Sequence, residues 1–280
     1  MKSWLRLLRI SQWGKNGLVF APAFFAGKLL EKHFFLLSLW SFLTFCLCAS
    51  GLYIINDILD IHADRHHPEK KHRPLATGEV SLLQAAILAI TLLIMAFILS
   101  YPLGKNFLIV LSIYILLNIS YSIFLKHISL LEIFMVAFGY LLRILGGGAA
   151  TNIIVSSWLF MSVFLLALLI SFGKRRAEIA LLGNKAKLHR SILADYSVEF
   201  LNLCLVITAA SSLIMYAIYT VEKGNHLIYT VIPAAYGILR YLKLVLTGKG
   251  GDPIEVFARD YHLWIATILF LSGIAFEIYL

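Results

Sequence analysis

Long apolar runs, repeated along the chain with short polar gaps between them, constrain what this sequence can fold into more than any motif in it. A run of about twenty apolar residues crosses the hydrocarbon core of a bilayer as a helix, because in lipid every backbone N–H and C=O has to be satisfied within its own segment. We read nine such runs, at 15–30, 34–55, 82–101, 106–125, 128–149, 155–172, 200–220, 227–246 and 261–279. Pro22 and Gly27 interrupt the first. Hydrophobic residues make up 60% of the 280 and charged residues 14%, a balance that soluble domains do not show. The sequence therefore predicts an all-α, polytopic membrane protein of about nine transmembrane helices. No linker breaks the series, so a single membrane domain over 1–280 is expected. The basic start "MKSWLRLLRISQWGKN" leads into no small-residue cleavage site, and no removed signal peptide is expected.

A formal net charge of +9 would suit nucleic acid if it were spread over a soluble surface. Nine spans distribute it otherwise. About 19 of the 24 basic residues fall on one side, in the N-terminal segment and in the gaps that hold Arg65 to Arg73, Lys126, Lys174 to Arg190 and Arg240 to Arg259. Lys28, Lys32, Lys105 and Lys223 fall on the other. The positive side faces the cytoplasm, so the reading is an integral protein of the cytoplasmic membrane, N-terminus inside, with no nucleic-acid partner. Cys46, Cys48 and Cys204 lie in apolar segments and form neither a disulfide framework nor a metal spacing.

The polar stretch "NDILDIHADRHHPEKKHRPLATG", residues 56–78, stands out against this background. At about 100° per residue through the end of the second run, Tyr53, Asn56, Asp57, Asp60 and Asp64 share an arc of roughly 100°. Carboxylates a few ångströms apart raise one another's pKa unless a cation lies among them, and oxygen-only donors suit a hard divalent ion, Mg²⁺ before Zn²⁺. Downstream, Lys70, Lys71 and Arg73 sit in a loop that Pro68 and Pro74 keep out of helix. An acidic face beside a cationic loop is what a diphosphate requires: metal to bridge its oxygens, Lys and Arg to neutralise the rest as it leaves. His62, His66, His67 and His72 match no zinc-ligand spacing.

A second polar gap, from Gly173 to Phe200, clusters Lys174, Arg175 and Arg176 and later sets Asp195 and Glu199 four residues apart. The basic triplet reads either as a topology signal at an anionic surface or as a second phosphate site. Arg143 lies inside the fifth run, where a charge is costly and marks a polar cavity or a partner. Glu132, three turns earlier on nearly the same face, is one such partner. Gly146, Gly147 and Gly148 read as a close helix contact or an unwound end, since no strand precedes them to make a phosphate loop.

These pieces resemble the UbiA superfamily of membrane prenyltransferases. "NDILDIHAD" is similar to the superfamily's NDxxDxxxD motif, and nine helices with that motif on the cytoplasmic side match its architecture. Within the superfamily the chain resembles the decaprenyl-phosphate phosphoribosyltransferase branch through "QWGKN", "YSIFLKH", "LLRILGGGAA", "GKRRAE", "HRSILADYSVEF" and "DPIEVFARD". The resemblance implies a UbiA-like bundle with a cytoplasm-facing polar cavity, and transfer of a 5-phosphoribosyl group from phosphoribosyl diphosphate to a polyprenyl phosphate with Mg²⁺. It implies that Lys15, Tyr53, Lys70, Lys126 and Arg143 contact the phosphoribosyl diphosphate, with Arg73 in the same basic loop. It further implies metal ligands among Asn56, Asp60 and Asp64, with Asp57 close by, and a catalytic role for Asp57, Asp60 and Asp64 beside an oxocarbenium-like centre. Lys174 and Arg175 are the candidates for the lipid phosphate.

Two departures bear on substrate. The aromatic prenyltransferases of the superfamily carry a second aspartate-rich motif, whereas here the corresponding loop is basic and offers Glu178, Asp195 and Glu199. "YSIFLK" also holds one residue more between Tyr and Lys than the YxxxK of that branch. The rival reading remains a prenyltransferase joining a prenyl diphosphate to an aromatic or other small acceptor. A third, a small transporter or lipid-binding scaffold, predicts paired discontinuous segments in two halves, and no convincing repeat is present. Nothing in the sequence sets the oligomeric state, and a homo-oligomer stands as an option.

Overall fold

The computed structural model describes residues 2–66, 70–182, 191–248 and 253–280. Pro68, His67, Lys185, Lys187, Arg190 and Lys249 lie outside the described residues. The chain forms α1 (Lys2–Leu7), a 3₁₀ segment (Ile10–Phe20), α2 (Ala21–Phe25), α3 (Lys32–Leu59), α4 (Ile61–His66), α5 (Leu82–Ser100), α6 (Lys105–Ile123) and α7 (Leu131–Thr151). It continues with α8 (Ser157–Leu182), α9 (Val198–Lys223), α10 (Val231–Leu246), α11 (Pro253–Arg259) and α12 (Tyr261–Tyr279). There is no strand among the described residues.

Eight of these helices are long and apolar enough to cross a membrane, and the protein is an integral membrane protein. They coincide with the apolar runs from 34–55 onward to within a few residues at most ends. Large apolar side chains such as Ile94, Ile98, Leu116, Ile207, Ile232 and Leu269 remain exposed along them, which lipid accommodates and water does not. Polar residues set the helix starts. Ser81 forms a reciprocal capping box with Gln84 on α5, Ser197 accepts from the Phe200 N–H at 3.1 Å, and Asp260 accepts from the Leu263 N–H at 3.1 Å.

The run at 15–30 does not make a ninth long helix. Pro22 stands at the start of α2, Gly27 takes a left-handed φ of 71°, and residues 10–20 wind as an eleven-residue 3₁₀ segment. Such segments rarely exceed four residues on their own bonds. This one is held instead by side chains that bond to α3.

By internal packing the chain falls into two compact units, Met1–Met135 with Gly139–Val155, and Val136–Phe138 with Ser156–Leu280. In the first, α3 packs against α5, α6 and the 3₁₀ segment. One apolar core joins Val19, Phe45, Cys48, Leu52, Phe107, Leu111 and Leu142, and a second joins Leu7, Ile54, Leu75, Val80, Ala85 and Ala89. The glycine triplet of α7 serves close packing: a Cβ on Gly147 would lie 2.0 Å from the Val19 carbonyl oxygen and one on Gly146 2.5 Å from the Phe45 ring. In the second unit α8 packs on α9, and α10 on α12. Arg176 closes the end of α10 through the Val245 and Leu246 carbonyls at 2.7 and 2.9 Å, and Arg240 pairs with Asp260 at 2.8 Å.

Candidate active site

In the first unit, one stripe of α3 is polar. Cys46, Ser50, Tyr53 and Asp57 follow one another at spacings of four, three and four, which is one face of a helix. The residues facing it run the opposite way through the N-terminal segment. Asn16 Nδ2 donates to Cys46 Sγ at 3.2 Å, Trp13 Nε1 to Ser50 Oγ at 3.0 Å, and Ser50 Oγ to the Leu8 carbonyl at 2.8 Å. The Arg9 guanidinium lies 5.0 Å from the centre of the Tyr53 ring and donates to Asp57. Residues 8–16 therefore lie antiparallel along α3 as a polar strap. Arg9 occupies the joint between α1 and the 3₁₀ segment with a left-handed φ of 51°, a conformation that costs a β-carbon residue about 1 kcal/mol or more.

At the inner end of this stripe sits Arg143, 5% exposed. Its Nε donates to Asn16 Oδ1 at 2.7 Å, one Nη to the Gly139 carbonyl at 2.6 Å and the other to the Tyr114 hydroxyl at 2.8 Å. It also lies over the Tyr114 and Tyr140 rings, at 5.0 and 5.6 Å. None of its hydrogen bonds goes to Glu132, which is itself buried and accepts from the Tyr121 hydroxyl at 3.5 Å. Arg143 is thus a cation deep in the unit held by neutral dipoles and ring faces.

At the outer end, the acidic arc of α3 and α4 is gathered as the helical period requires, yet its members take different partners. Asn56 and Asp60 form one pair: Asn56 Nδ2 donates to Asp60 Oδ2 at 3.1 Å, Ser122 Oγ to Asn56 Oδ1 at 3.1 Å, and Lys126 Nζ to Asp60 Oδ1 at 2.5 Å. Asp57 and Asp64 form the other. Arg73 Nη1 reaches Asp57 Oδ1 at 2.9 Å and Asp64 Oδ2 at 2.5 Å, while Arg9 binds the same Asp57 oxygen. The Asp57 and Asp64 side chains are only 3% and 6% exposed, against 29% for Asp60. α1, which precedes the strap, fastens the segment after the basic loop, since Ser3 and Arg6 bind Glu79, Arg6 at 2.6 Å. That contact, the Ser3 hydroxyl first and the Arg6 guanidinium after it, holds the Glu79 carboxyl below the ordinary carboxylate range.

Of the remaining expected residues, Lys15 is half-buried within the strap, and Lys70 is half-buried in a short 3₁₀ turn, Lys70–His72. His62 and His66 are exposed on α4, His66 Nδ1 lying 2.9 Å from the His62 carbonyl oxygen. Lys174 and Arg175 belong to the second unit, near the end of α8, where Arg175 is buried and pairs with Glu178 at 2.5 Å. Arg9, Asn16, Tyr114 and Ser122 enter the site without having been singled out from sequence. Arg9 had counted only towards the charge asymmetry, and Asn16 and Ser122 lay inside the quoted stretches "QWGKN" and "YSIFLKH". Tyr114 gave no signal in an otherwise apolar run.

A profile of the UbiA prenyltransferase family matches residues 18–274. The chain belongs to the UbiA prenyltransferase family. It is 32% identical to the decaprenyl-phosphate phosphoribosyltransferase of Mycolicibacterium smegmatis, over 98% of this chain and 92% of that one. It is 30% identical to the enzyme of the same name from Corynebacterium glutamicum, over 99% and 86% of the two chains. Its fold is that of a UbiA homologue from Archaeoglobus fulgidus solved with GPP and Mg²⁺, with a TM-score of 0.74 over 99% of both chains at 20% identity. The all-helical fold is therefore UbiA-like.

Proposed function

We propose that this member of the family transfers a 5-phosphoribosyl group from phosphoribosyl diphosphate to a polyprenyl phosphate and releases diphosphate. The observation that carries this reading is the likeness, over nearly the whole length of both chains, to enzymes named for that transfer. The site's chemistry supports it. Arg9, Arg73, Lys126 and Arg143 are more cationic charge than Asp57, Asp60 and Asp64 neutralise, which suits a polyanionic donor.

Among the described residues no three His, Cys, Asp or Glu side chains stand close enough to hold an ion. In the structure Lys126, Arg9 and Arg73 compensate the carboxylates instead. The donor atoms themselves, carboxylate and amide oxygens, fit a hard cation. Asn56, Asp60 and Asp64 would hold Mg²⁺, and the ion would supply positive charge to neutralise the diphosphate as it leaves. Lys15, Tyr53, Lys70, Arg73, Lys126 and Arg143 bind the donor in this reading, and Lys174 and Arg175 the lipid phosphate. The lipid phosphate is already an anionic nucleophile, so its oxygen attacks the ribose C1 as the bond from C1 to the diphosphate oxygen breaks. No proton has to be removed. The protein's task is to align the two reactants, place carboxylates beside the developing cationic centre, and hold the departing diphosphate. The distribution of Lys and Arg supports a cytoplasmic site, and a family match running from 18 to 274 supports one membrane domain.

Purified protein incubated with radiolabelled phosphoribosyl diphosphate, polyprenyl phosphate and Mg²⁺ is expected to carry label into the lipid fraction. Absence of labelled lipid, with turnover of a prenyl diphosphate in a parallel reaction, would replace this reading with prenyl transfer.

A further inference from the structure

The acidic arc offers four oxygen-bearing side chains to a metal, but the structure treats them unequally. Asp57 is the most deeply placed, its side chain 3% exposed, and one of its oxygens takes two arginines from segments far apart in sequence. Arg9 comes from the N-terminal strap and Arg73 from the loop after α4. The two arginine side chains are more open, 21% and 24% exposed. Arg73 makes both its carboxylate bonds through Nη1, and Arg9 bonds Asp57 through Nη2. The other N–H donors of both groups carry no side-chain or backbone bond among the described residues. A buried anion shared by two partly exposed arginines orients them side by side and prevents their mutual repulsion from driving them apart. Asp60, by contrast, is half-buried and bonded to Lys126 and to Asn56, whose carbonyl Ser122 holds in place.

We infer that Asp57 is a positioning residue and not a metal ligand: it anchors Arg9 and Arg73 as a paired receptor for the donor's diphosphate, leaving the Asn56–Asp60 side of the arc to the cation. Removing the Asp57 charge therefore loosens the receptor without removing a ligand. The left-handed backbone of Arg9 supports this division, since a strained joint is kept where the side chain it aims has a task. Asp64, its side chain 6% exposed, shares Arg73 with Asp57.

This inference rests on the diphosphate-donor reading, but its test does not require phosphoribosyl transfer. Binding of Mn²⁺ alone is measured by electron paramagnetic resonance, and binding of inorganic diphosphate in saturating Mn²⁺ by calorimetry, on the full chain in detergent. Asp57→Asn is expected to leave Mn²⁺ affinity within about twofold of the parent and to weaken diphosphate at least about tenfold, as loss of an orienting partner does. Asp60→Asn is expected to weaken Mn²⁺ itself by about tenfold or more. Should Asp57→Asn not fold, Asp57→Glu keeps the charge while displacing both guanidiniums, and the same split is expected of it in milder form. Loss of Mn²⁺ affinity in either Asp57 variant comparable to that in Asp60→Asn would make Asp57 a ligand and overturn the inference. Unchanged diphosphate binding would overturn it too. Failure of labelled lipid to form in the transfer assay leaves both binding measurements as they are, so the two ideas fail separately.

Discussion

The two units of this chain bury polar groups in different ways. In the second, Ser171, Thr208 and Ser212 bond backward along their own helices, to the Ala167 carbonyl at 2.7 Å, to Cys204 at 2.7 Å and to Thr208 at 2.7 Å, though Thr230 also meets the Tyr216 hydroxyl. Its charged contacts lie mainly near helix ends, Arg240 with Asp260 and Arg176 on the close of α10, with Arg175 and Glu178 the buried pair. In the first unit, buried ionisable groups bond across segments, Arg143 to Asn16, Lys126 to Asp60, Arg73 to Asp57 and Asp64. A hydroxyl bonded to its own helix is cheap at membrane depth, whereas a charge there is expensive and is retained for what it does. The contrast is between hydroxyls that satisfy their own helix and charges that tie distant segments of the first unit together.

The strongest way to break that contrast is at Arg143. Arg143→Ala removes the N–H groups that Asn16 Oδ1, the Tyr114 hydroxyl and the Gly139 carbonyl accept from, and is expected to cost about 3 kcal/mol of stability in detergent. Arg240→Ala, which removes the partner of the residue capping α12, is expected to leave the melting temperature nearly unchanged. Equal losses would show that the buried charge carries no special weight. Next, Asp60→Asn is expected to lower turnover at least about a hundredfold, and Asp260→Asn by no more than about twofold. A near-normal rate for Asp60→Asn in a steady-state assay would remove the acidic face from the chemistry.

The packing contrast can be sharpened with glycines. A Cβ on Gly147 meets the Val19 backbone at 2.0 Å, while one on Gly173 meets the Tyr241 hydroxyl, the far end of a side chain, at 2.4 Å. Gly147→Ala is expected to destabilise by about 2 kcal/mol and Gly173→Ala by clearly less, as read from chemical denaturation. The smallest effect concerns pH. Glu79 and Asp260 both have pKa values held low, Glu79 chiefly by the Ser3 hydroxyl and Asp260 chiefly by hydrogen bonding from Arg240. Their stabilisation is complete above the ordinary carboxylate pKa and is lost as pH falls through the lowered folded values. The melting temperature should drop across that acidic window, and less so in Glu79→Gln or Asp260→Asn.

Most of the helices were legible because hydropathy is a local property. The runs from 34–55 to 261–279 became helices at nearly the same residues. The run at 15–30 did not, since its apolar content hid Asn16 and the preceding Trp13 and Arg9, which bond to α3 instead of facing lipid. At the site, the shared arc of Tyr53, Asn56, Asp57, Asp60 and Asp64 followed from a period of 3.6 residues. Which of them pair with which cation did not follow. Asp57 takes Arg9 from 48 residues away and Arg73 from 16, and Asp60 takes Lys126 from 66.

The sequence by itself therefore determined that the chain lives in a membrane, where most of its helices run, and that an acidic face and a basic loop meet near the end of the second run. Tertiary structure alone decided that residues 8–16 form a polar strap, that Arg143 rests on Asn16 and Tyr114, and that the acidic face divides into two pairs. The reason is physical. Hydropathy and helical period depend on near neighbours along the chain, while the partner of a charge depends on which distant segments pack against it.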